Sequence, residues 1–284
     1  MNLILFLSLI SFAGEEINET ASLKEVQEAQ VASQSSSEIP NHQFETEEEL
    51  DLEAQYSPRE KWGKPEQGLE NFIEYYQKEY PLRETSQKLV DNKGNGFARL
   101  YGVRNFRFVL NGLLYRSGAN NAYNKHQVRD NRNPMPQEGL LNLCHEGFKN
   151  VIYLYPTNFN KKLSPVTCTT RLQNSNSMTY RQISPWTRES QHQIMKIVVD
   201  SIESSSGPVL VHCWNGWHAS GLISAFILRQ FCNYSGEEAV AYWNKNTDGN
   251  NKGGTSDSYR KQIKDYKPFT DLKINSRIIE SICK

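Results

Sequence analysis

The sequence lacks an apolar run long enough to cross a membrane. At its start, Leu3 to Ile10 is a nearly continuous apolar stretch of about eight residues, whereas a membrane-spanning helix needs about 20. Small residues follow at Ser11 and Ala13, which is typical of a secretory signal cleaved after Ala13. No Lys or Arg precedes the run, so a buried N-terminal helix or strand stays open as the alternative. We predict that residues 1–13 are a signal peptide and that the mature protein, with no transmembrane segment, is secreted or periplasmic.

Positive charge and aromatic side chains are scarce in the first 60 residues. Residues 1–60 hold 13 Asp and Glu but only Lys24 and Arg59. Because the whole chain has 32 basic and 32 acidic residues, this leaves a net charge of about +11 in 61–284. Residues 14–60 are rich in Glu, Ser and Gln, and bury too little apolar surface to offset chain entropy. We predict an acidic disordered linker, either simply solvated or lying across the basic domain as a pseudo-ligand.

Several classes of protein are excluded by what is missing. The composition excludes a collagen, a coiled coil and a multi-span membrane protein. There is no Cys-x-x-Cys or His-x-x-x-His spacing, so the sequence points to no metal or cofactor. No basic helix interleaved with aromatic residues is present, and nucleic-acid binding is therefore not expected.

Strands and helices are predicted to alternate in the rest of the chain. The pattern favours an α/β domain with a central, mainly parallel sheet of four to five strands flanked by helices. This domain is assigned to 105–284, and 61–104 is assigned to a helical N-terminal extension. Predicted strands lie at 106–115 (with a bend at Asn111-Gly112), 151–155, 178–183 and 209–211; predicted helices at 69–80, 140–145, 194–202, 222–228, after the capping box at 235–238, 256–266 and 271–283; a polar loop at 157–177.

The segment Val209 to Gly221 is the most informative stretch, because a buried strand there runs through a tight loop into an apolar helix. The backbone amides of such a loop converge at the N-terminus of the helix, which suits a bound phosphate. The same setting favours the thiolate of Cys213, a nucleophile toward phosphorus. Gly216 lets the backbone turn without a Cβ clash, and Ser220 is placed to stabilise a departing thiolate.

The loop has a characteristic spacing: His212 and Cys213 are followed by two residues, Gly216, two more residues, Ala219 and then Ser220. It resembles the signature of the protein tyrosine and dual-specificity phosphatases, which is His-Cys, two residues, Gly, two residues, Arg, then Ser or Thr. Upstream, 114–118 resembles the "YRS" strand of atypical members and 147–154 their "G-x-x-x-V-I-x-L" strand. The resemblance spans roughly 105–235 and implies a phosphatase-like fold with a catalytic Cys213. It also implies an anion-binding loop of Trp214, Asn215, Gly216, Trp217, His218, Ala219 and Ser220.

Two family residues are missing. Ala219 occupies the position of the signature arginine, a bidentate phosphate clamp whose loss lowers rates by about 10³ to 10⁵. The loop that carries the general-acid aspartate in the family reads 183–189 here and contains no Asp. Thr187 occupies the corresponding position and Glu189 is the nearest acidic substitute; the loss of a general acid lowers rates by roughly 10² to 10⁴. The candidate replacements for the arginine are His218, Arg116, Arg181 and Arg188.

The chain has five cysteines, an odd number that fits two disulfides and one free thiol in an exported protein. If Cys213 is the loop thiol, the other four permit three pairings. We favour Cys144–Cys168 and Cys232–Cys283, because each pair joins neighbouring segments. The alternative is that all five are reduced and buried.

Three functions are compatible with these residues. The first is a pseudophosphatase, or impaired cysteine phosphatase, that binds phosphate or another anion in the Cys213 loop. The second is an active hydrolase of phosphotyrosine, phosphoserine or phosphothreonine, or inositol phosphates. The third is a non-catalytic interaction module whose basic face docks a partner such as an acidic protein segment. Cys213 as an unreactive buried thiol, His218 as a solvent-facing residue, and Trp214 and Trp217 as core aromatics remain the structural alternatives.

Overall fold

The computed structural model describes residues 68–119, 135–155 and 165–283. The predicted signal peptide (1–13) and acidic linker (14–60) lie outside these ranges. The helices are α1 (Leu69–Glu79), α2 (Gln137–His145), α3 (Arg188–Ser204), α4 (Ala219–Phe231), α5 (Gly236–Lys245), α6 (Gly254–Asp265) and α7 (Ser276–Ile282), with a 3₁₀ turn at Ala98–Leu100. The strands are β1 (Arg104–Leu110), β2 (Leu114–Gly118), β3 (Asn150–Tyr153), β4 (Val166–Thr169), β5 (Ser175–Gln182) and β6 (Val209–His212).

The strands form one mostly parallel sheet flanked by helices, in the order β1-β2-β6-β3-β5-β4. The four central strands run parallel, and β1 and β4 add antiparallel edges. The predicted α/β class is therefore confirmed, but the predicted count of four to five strands is wrong, because the sheet has six. The missed strand is β4, which lies inside the segment predicted to be a polar loop. Only Val166 of its four residues is buried, so its sequence has no apolar run, and pairing with β5 is what makes it a strand.

Local signals set most of the element boundaries. Gly112 has a φ of +82° in the turn between β1 and β2, a conformation that favours glycine. The predicted capping box opens α5: Ser235 Oγ accepts from Glu238 N at 3.2 Å, and Ser235 N donates to the Glu238 carboxylate at 2.8 Å. Helix α7 begins at Ser276 rather than near 271 as predicted, because the Asn275 side chain accepts from Arg277 N and caps it there.

An aromatic cluster joins α1 to the sheet. The Tyr80 ring lies 5.3 Å from that of Tyr115 on β2 and 5.5 Å from that of Phe106 on β1. The Tyr80 hydroxyl donates to the Glu146 carboxylate at 2.8 Å. Tyr80, at the end of α1, therefore belongs to the same core as β1 and β2. None of the helices in the described ranges is long and apolar enough to cross a membrane.

Two disulfides are present, Cys144–Cys168 and Cys232–Cys283, in the predicted pairing. The first ties α2 to β4, and the second ties the end of α4 to the residue after α7. Cys213 is the free cysteine, and it is buried.

Candidate anion-binding site

The cysteine loop occupies 213–218, between the end of β6 and the start of α4. Strand β6 is central in the sheet, so the loop lies at the carboxyl edge of the parallel strands, where α/β proteins bind ligands. The Cys213 side chain is only 7% exposed. Its Sγ lies 3.4 Å from Ser220 Oγ in the first turn of α4. The thiol and the hydroxyl that the sequence singled out are therefore in hydrogen-bond contact.

Arg116 of β2 holds the second half of the loop from behind. Its side chain is fully buried. Its guanidinium donates to the carbonyl oxygen of Gly216 and, at 3.1 Å, to that of Trp217. The same group donates to the Tyr242 hydroxyl at 3.2 Å. Arg116 therefore contacts the carbonyl side of the loop, which is not where a phosphate clamp belongs.

Two residues at the start of β1 hold the first half of the loop. Arg104 donates to the Trp214 carbonyl at 3.4 Å and to the Asn215 side chain. Asn105 Nδ2 donates to the Asn215 carbonyl at 2.7 Å. All four carbonyls of 214–217 thus accept from side chains on one side. In a trans peptide the N–H points away from the C=O, so the amides of 215–218 are directed to the opposite side, as an anion cradle requires.

Gly216 allows this loop to pack on β2. Its φ is +76°, and a Cβ there would lie 2.5 Å from Gly118 N and 2.8 Å from Ser117 C. We expect Gly216→Ala to lower the free energy of unfolding by about 3 kcal/mol, from backbone strain and overpacking together. Chemical denaturation measures this loss.

Gly249 supplies the matched control for that substitution. It has nearly the same φ, +79°, but nothing lies within 4 Å of the point that a Cβ on this residue would occupy. Gly249→Ala should therefore show only the left-handed conformational penalty, about 1 kcal/mol. Equal losses for the two variants would contradict close packing of the loop on β2.

His212 lies below the loop and is tied to Cys213. The Tyr180 oxygen accepts from Met135 N at 3.0 Å and lies 3.0 Å from His212 Nε2, while Nδ1 lies 3.3 Å from the Cys213 carbonyl. The Tyr180 proton is thereby assigned to the Nε2 side, which leaves the imidazole proton on Nδ1. Burial lowers the pKa of His212 to about 4. The ring is therefore neutral and donates to the backbone of the nucleophile.

His218 is turned toward the 247–251 segment. Its Nε2 lies 2.6 Å from the Asn250 carbonyl, and its ring stacks on Tyr259 at 5.9 Å. Burial lowers its pKa, the Asn250 carbonyl opposes this, and the charge of Arg116 lowers it further. At neutral pH the ring is therefore mostly uncharged, with its proton on the nitrogen that faces Asn250. This geometry disfavours a cationic replacement for the missing arginine.

The two remaining candidate arginines are Arg188 and Arg181. The Arg188 guanidinium lies over the Phe269 ring at 3.3 Å and near that of Tyr266 at 5.1 Å. Arg181 is exposed on β5. Ala219, at the arginine position, is itself buried at the start of α4. Of the candidate arginines, Arg116 is thus the one that contacts the loop, and it does so from behind.

The segment in which the general acid was expected instead caps helix α3. Thr187 Oγ1 accepts from Ser190 N at 3.2 Å and is the N-cap of α3. Glu189 follows in the first turn and is exposed. Trp186 stacks on Tyr259 at 5.5 Å, which fixes this loop against α6. The Thr187 hydroxyl therefore accepts a hydrogen bond from the first turn of α3.

Sequence reasoning did not single out two buried phenols, Tyr153 and Tyr259, whose ionisation is coupled to the charge of Cys213. Burial raises the pKa of Tyr153 and of Tyr259, and the charge of Cys213 raises both further. They come from β3 and α6 and belong to no local motif. Only the alignment of β3 with β6, which pairs Tyr153 with His212, could have indicated the first.

No protein-family model matches the chain, and no curated protein does so either. Among solved structures, the chain is similar to the core catalytic domain of the PP-IP phosphatase SIW14 from S. cerevisiae, with 18% identity over 58% of this chain and 86% of that chain and a TM-score of 0.38. It is also similar to Tk-PTP, with 17% identity over 56% and 96% and a TM-score of 0.37. A third is TpbA of P. aeruginosa, with 14% identity over 55% and 83% and a TM-score of 0.31. These structures are of the phosphatase-like kind that the cysteine motif resembles.

Proposed function

We propose that the Cys213 loop binds a phosphate, a phosphoester or another oxyanion, and that the protein is an exported pseudophosphatase or impaired cysteine phosphatase. The observation that carries the proposal is the orientation of the loop. The carbonyls of 214–217 accept bonds from Arg104, Asn105 and Arg116, so the amides of 215–218 are directed the other way. Converging amides at a helix start bind anions without any charged side chain.

Three features support slow or absent turnover. Ala219 supplies no guanidinium to the transferred phosphoryl group, at an expected loss of about 10³ to 10⁵ in rate. Thr187 caps α3 and stands where the general acid belongs, at an expected loss of roughly 10² to 10⁴. His218, the adjacent candidate, is neutral and bonded to Asn250.

An active phosphatase is the second candidate, and the contact between Cys213 and Ser220 favours it. A hydroxyl 3.4 Å from the sulfur is placed to stabilise the thiolate when it leaves. This hydroxyl would act only if the chain binds its substrate without an arginine in the loop.

Export is part of the proposal because two disulfides are compatible with an oxidising compartment. Determining the N-terminal residue of the protein recovered from its own cells would test it. A start at Gly14 supports cleavage of the predicted signal, and an intact Met1 contradicts it.

Binding is tested by thermal unfolding in the presence of sulfate or phosphate at constant ionic strength. An anion at ten times its Kd should add about 1.4 kcal/mol of stability by mass action. Chloride at matched ionic strength is the control for salt effects. If neither sulfate nor phosphate at about 50 mM, roughly ten times a Kd of about 5 mM, raises the Tm above this control, the anion-binding proposal is wrong.

Turnover is tested by phosphate release from an activated aryl phosphate. Such a leaving group needs no general acid, so the assay isolates the nucleophile. We expect wild type to lie within about tenfold of Cys213→Ser, because the clamp that stabilises the transition state is absent. A wild-type rate about 10³ or more above that of Cys213→Ser would establish the active phosphatase instead, and sulfate binding by both proteins would show that the cradle is intact.

A further inference from the structure

Two buried arginines beneath the loop have no negative partner. Arg107 and Arg116 are 1% and 0% exposed. Among the described residues, neither forms an ion pair with a carboxylate, and Arg107 Nη2 and Arg116 Nε have no hydrogen-bond acceptor. Buried charges in proteins are ordinarily paired, because an isolated one loses its hydration without compensation. The two buried positive charges therefore indicate that an anion binds nearby.

Both arginines lie directly behind the cradle. Arg116 donates to the carbonyls of the loop itself. Arg107 lies one step farther back: its Nε donates to the Asn105 carbonyl at 3.3 Å, and Asn105 in turn donates to the Asn215 carbonyl at 2.7 Å. The charge of Arg116 therefore acts on the ligand side through the loop backbone alone, and the charge of Arg107 acts from behind Asn105.

The protein's own acidic residues do not neutralise this pair. Asp248 is the carboxylate whose charge acts on Arg107, but it is bound to Lys88 at 2.6 Å. Burial and the neighbouring charge of Arg116 lower the pKa of Arg107 to about 10. Arg107 is thus still protonated at neutral pH, and the site has a net positive charge that the loop amides do not provide.

We infer that Arg107 and Arg116 make the Cys213 loop selective for doubly charged tetrahedral oxyanions over singly charged ones. This rests on the proposed function and adds the ligand class: sulfate, hydrogen phosphate or the dianion of a phosphate monoester. The amides supply shape and hydrogen bonds, and the two positioning arginines supply charge from behind. In the phosphatases that the loop resembles, an arginine at the position of Ala219 supplies this positive charge. Here Arg107 on β1 and Arg116 on β2 supply it from the sheet.

The test compares the full chain's binding of sulfate with its binding of perchlorate, a tetrahedral monoanion, by calorimetry near neutral pH and at constant ionic strength. The wild type should bind sulfate at least about tenfold more tightly, because Coulomb energy scales with ligand charge. This comparison needs no variant. A sulfate preference of less than about threefold would overturn the inference, since that is less than one partly screened charge provides.

Arg107 is the residue to vary, because it contributes charge without contacting the loop. Arg107→Met should weaken sulfate binding about tenfold and perchlorate binding about threefold, since the free energy lost from a dianion is twice that from a monoanion. Arg107→Lys retains the charge and is the matched control, expected within about twofold of wild type for sulfate.

The outcomes separate this inference from the proposed function. Equal fold-losses for sulfate and perchlorate, or a loss in Arg107→Lys as large as in Arg107→Met, would overturn the charge role while sulfate binding by the wild type upheld the cradle. Absence of sulfate binding by the wild type would overturn both. Circular dichroism of each variant confirms that the comparison is made between folded proteins.

Discussion

Replacing Cys232 and Cys283 together by serine should lower the free energy of unfolding by about 4 kcal/mol. The bridge closes a segment with a sequence separation of 51, and the entropy it removes from the unfolded chain grows with that length. It also fixes α7, a helix of seven residues whose buried side chains are Ile278 and Ile282. So short a helix is marginal without a tether. Urea unfolding followed by far-UV circular dichroism measures the loss.

The second disulfide provides the control for this substitution. Cys144–Cys168 has a sequence separation of 24, so its removal should cost about 3 kcal/mol on the same entropic scale. The two double variants should therefore differ by roughly 1 kcal/mol or less. A loss below about 1 kcal/mol for the Cys232–Cys283 pair, well under the entropic expectation, would show that α7 is held by packing rather than by the bridge.

The effect on the anion site should be small. Helix α4 has 13 residues, so its end at the disulfide lies about 18 Å from its start at the loop. Loss of the bridge should leave sulfate affinity unchanged in the folded fraction. A parallel loss of affinity would mean that α7 supports the position of Ser220 through α4.

The fold and the cysteine loop were predictable because their signals are local. The apolar Val209 to Val211, the loop that contains Gly216 and the apolar 222–228 follow one another closely, so strand, turn and helix follow from sequence order alone. The disulfide pairing was also predictable, because with Cys213 set aside each cysteine pairs with the next one along the chain. The same local signals are absent from β4, where one buried Val166 among threonines resembles a loop.

The surroundings of the thiol were not predictable, because they come from other elements. Arg104, Arg107 and Arg116 are residue types that are ordinarily exposed, and only the pairing of β1 with β2 and of β2 with β6 brings them behind the loop. His218 was a candidate cation on sequence alone. Its contact with Asn250 depends on the turn after α5, which no motif in the loop encodes.

Acidification should destabilise the protein through His212, by about 3 kcal/mol between roughly pH 6.5 and pH 4. Burial lowers the pKa of this imidazole to about 4 in the folded state, against about 6.5 in an unfolded chain. Within this window the unfolded state binds more protons than the native state, so stability falls as the pH falls. Below about pH 4 this contribution is constant. Urea unfolding across this range measures the slope.

His212→Gln is the control, because glutamine does not titrate. Carboxylates whose pKa is lowered, such as Asp248 beside Lys88, also reduce the stability of the protein at low pH. Their effect on the free energy of unfolding is the same in both proteins. The difference between the two pH profiles therefore isolates His212. Parallel profiles across this window would contradict a buried neutral imidazole.

The hydrogen-bond chain explains why protonation of His212 acts on the whole loop. Met135 N already donates to the Tyr180 oxygen, so the Tyr180 proton is directed at Nε2. A proton added to Nε2 would point at the hydroxyl proton of Tyr180. Either the bond between Tyr180 and Nε2 or the bond from Met135 N to Tyr180 must then break. The imidazole would then shift relative to the Cys213 carbonyl that its Nδ1 contacts. Loss of one hydrogen bond in this chain is therefore the structural reason for the destabilisation that the urea-unfolding profile measures.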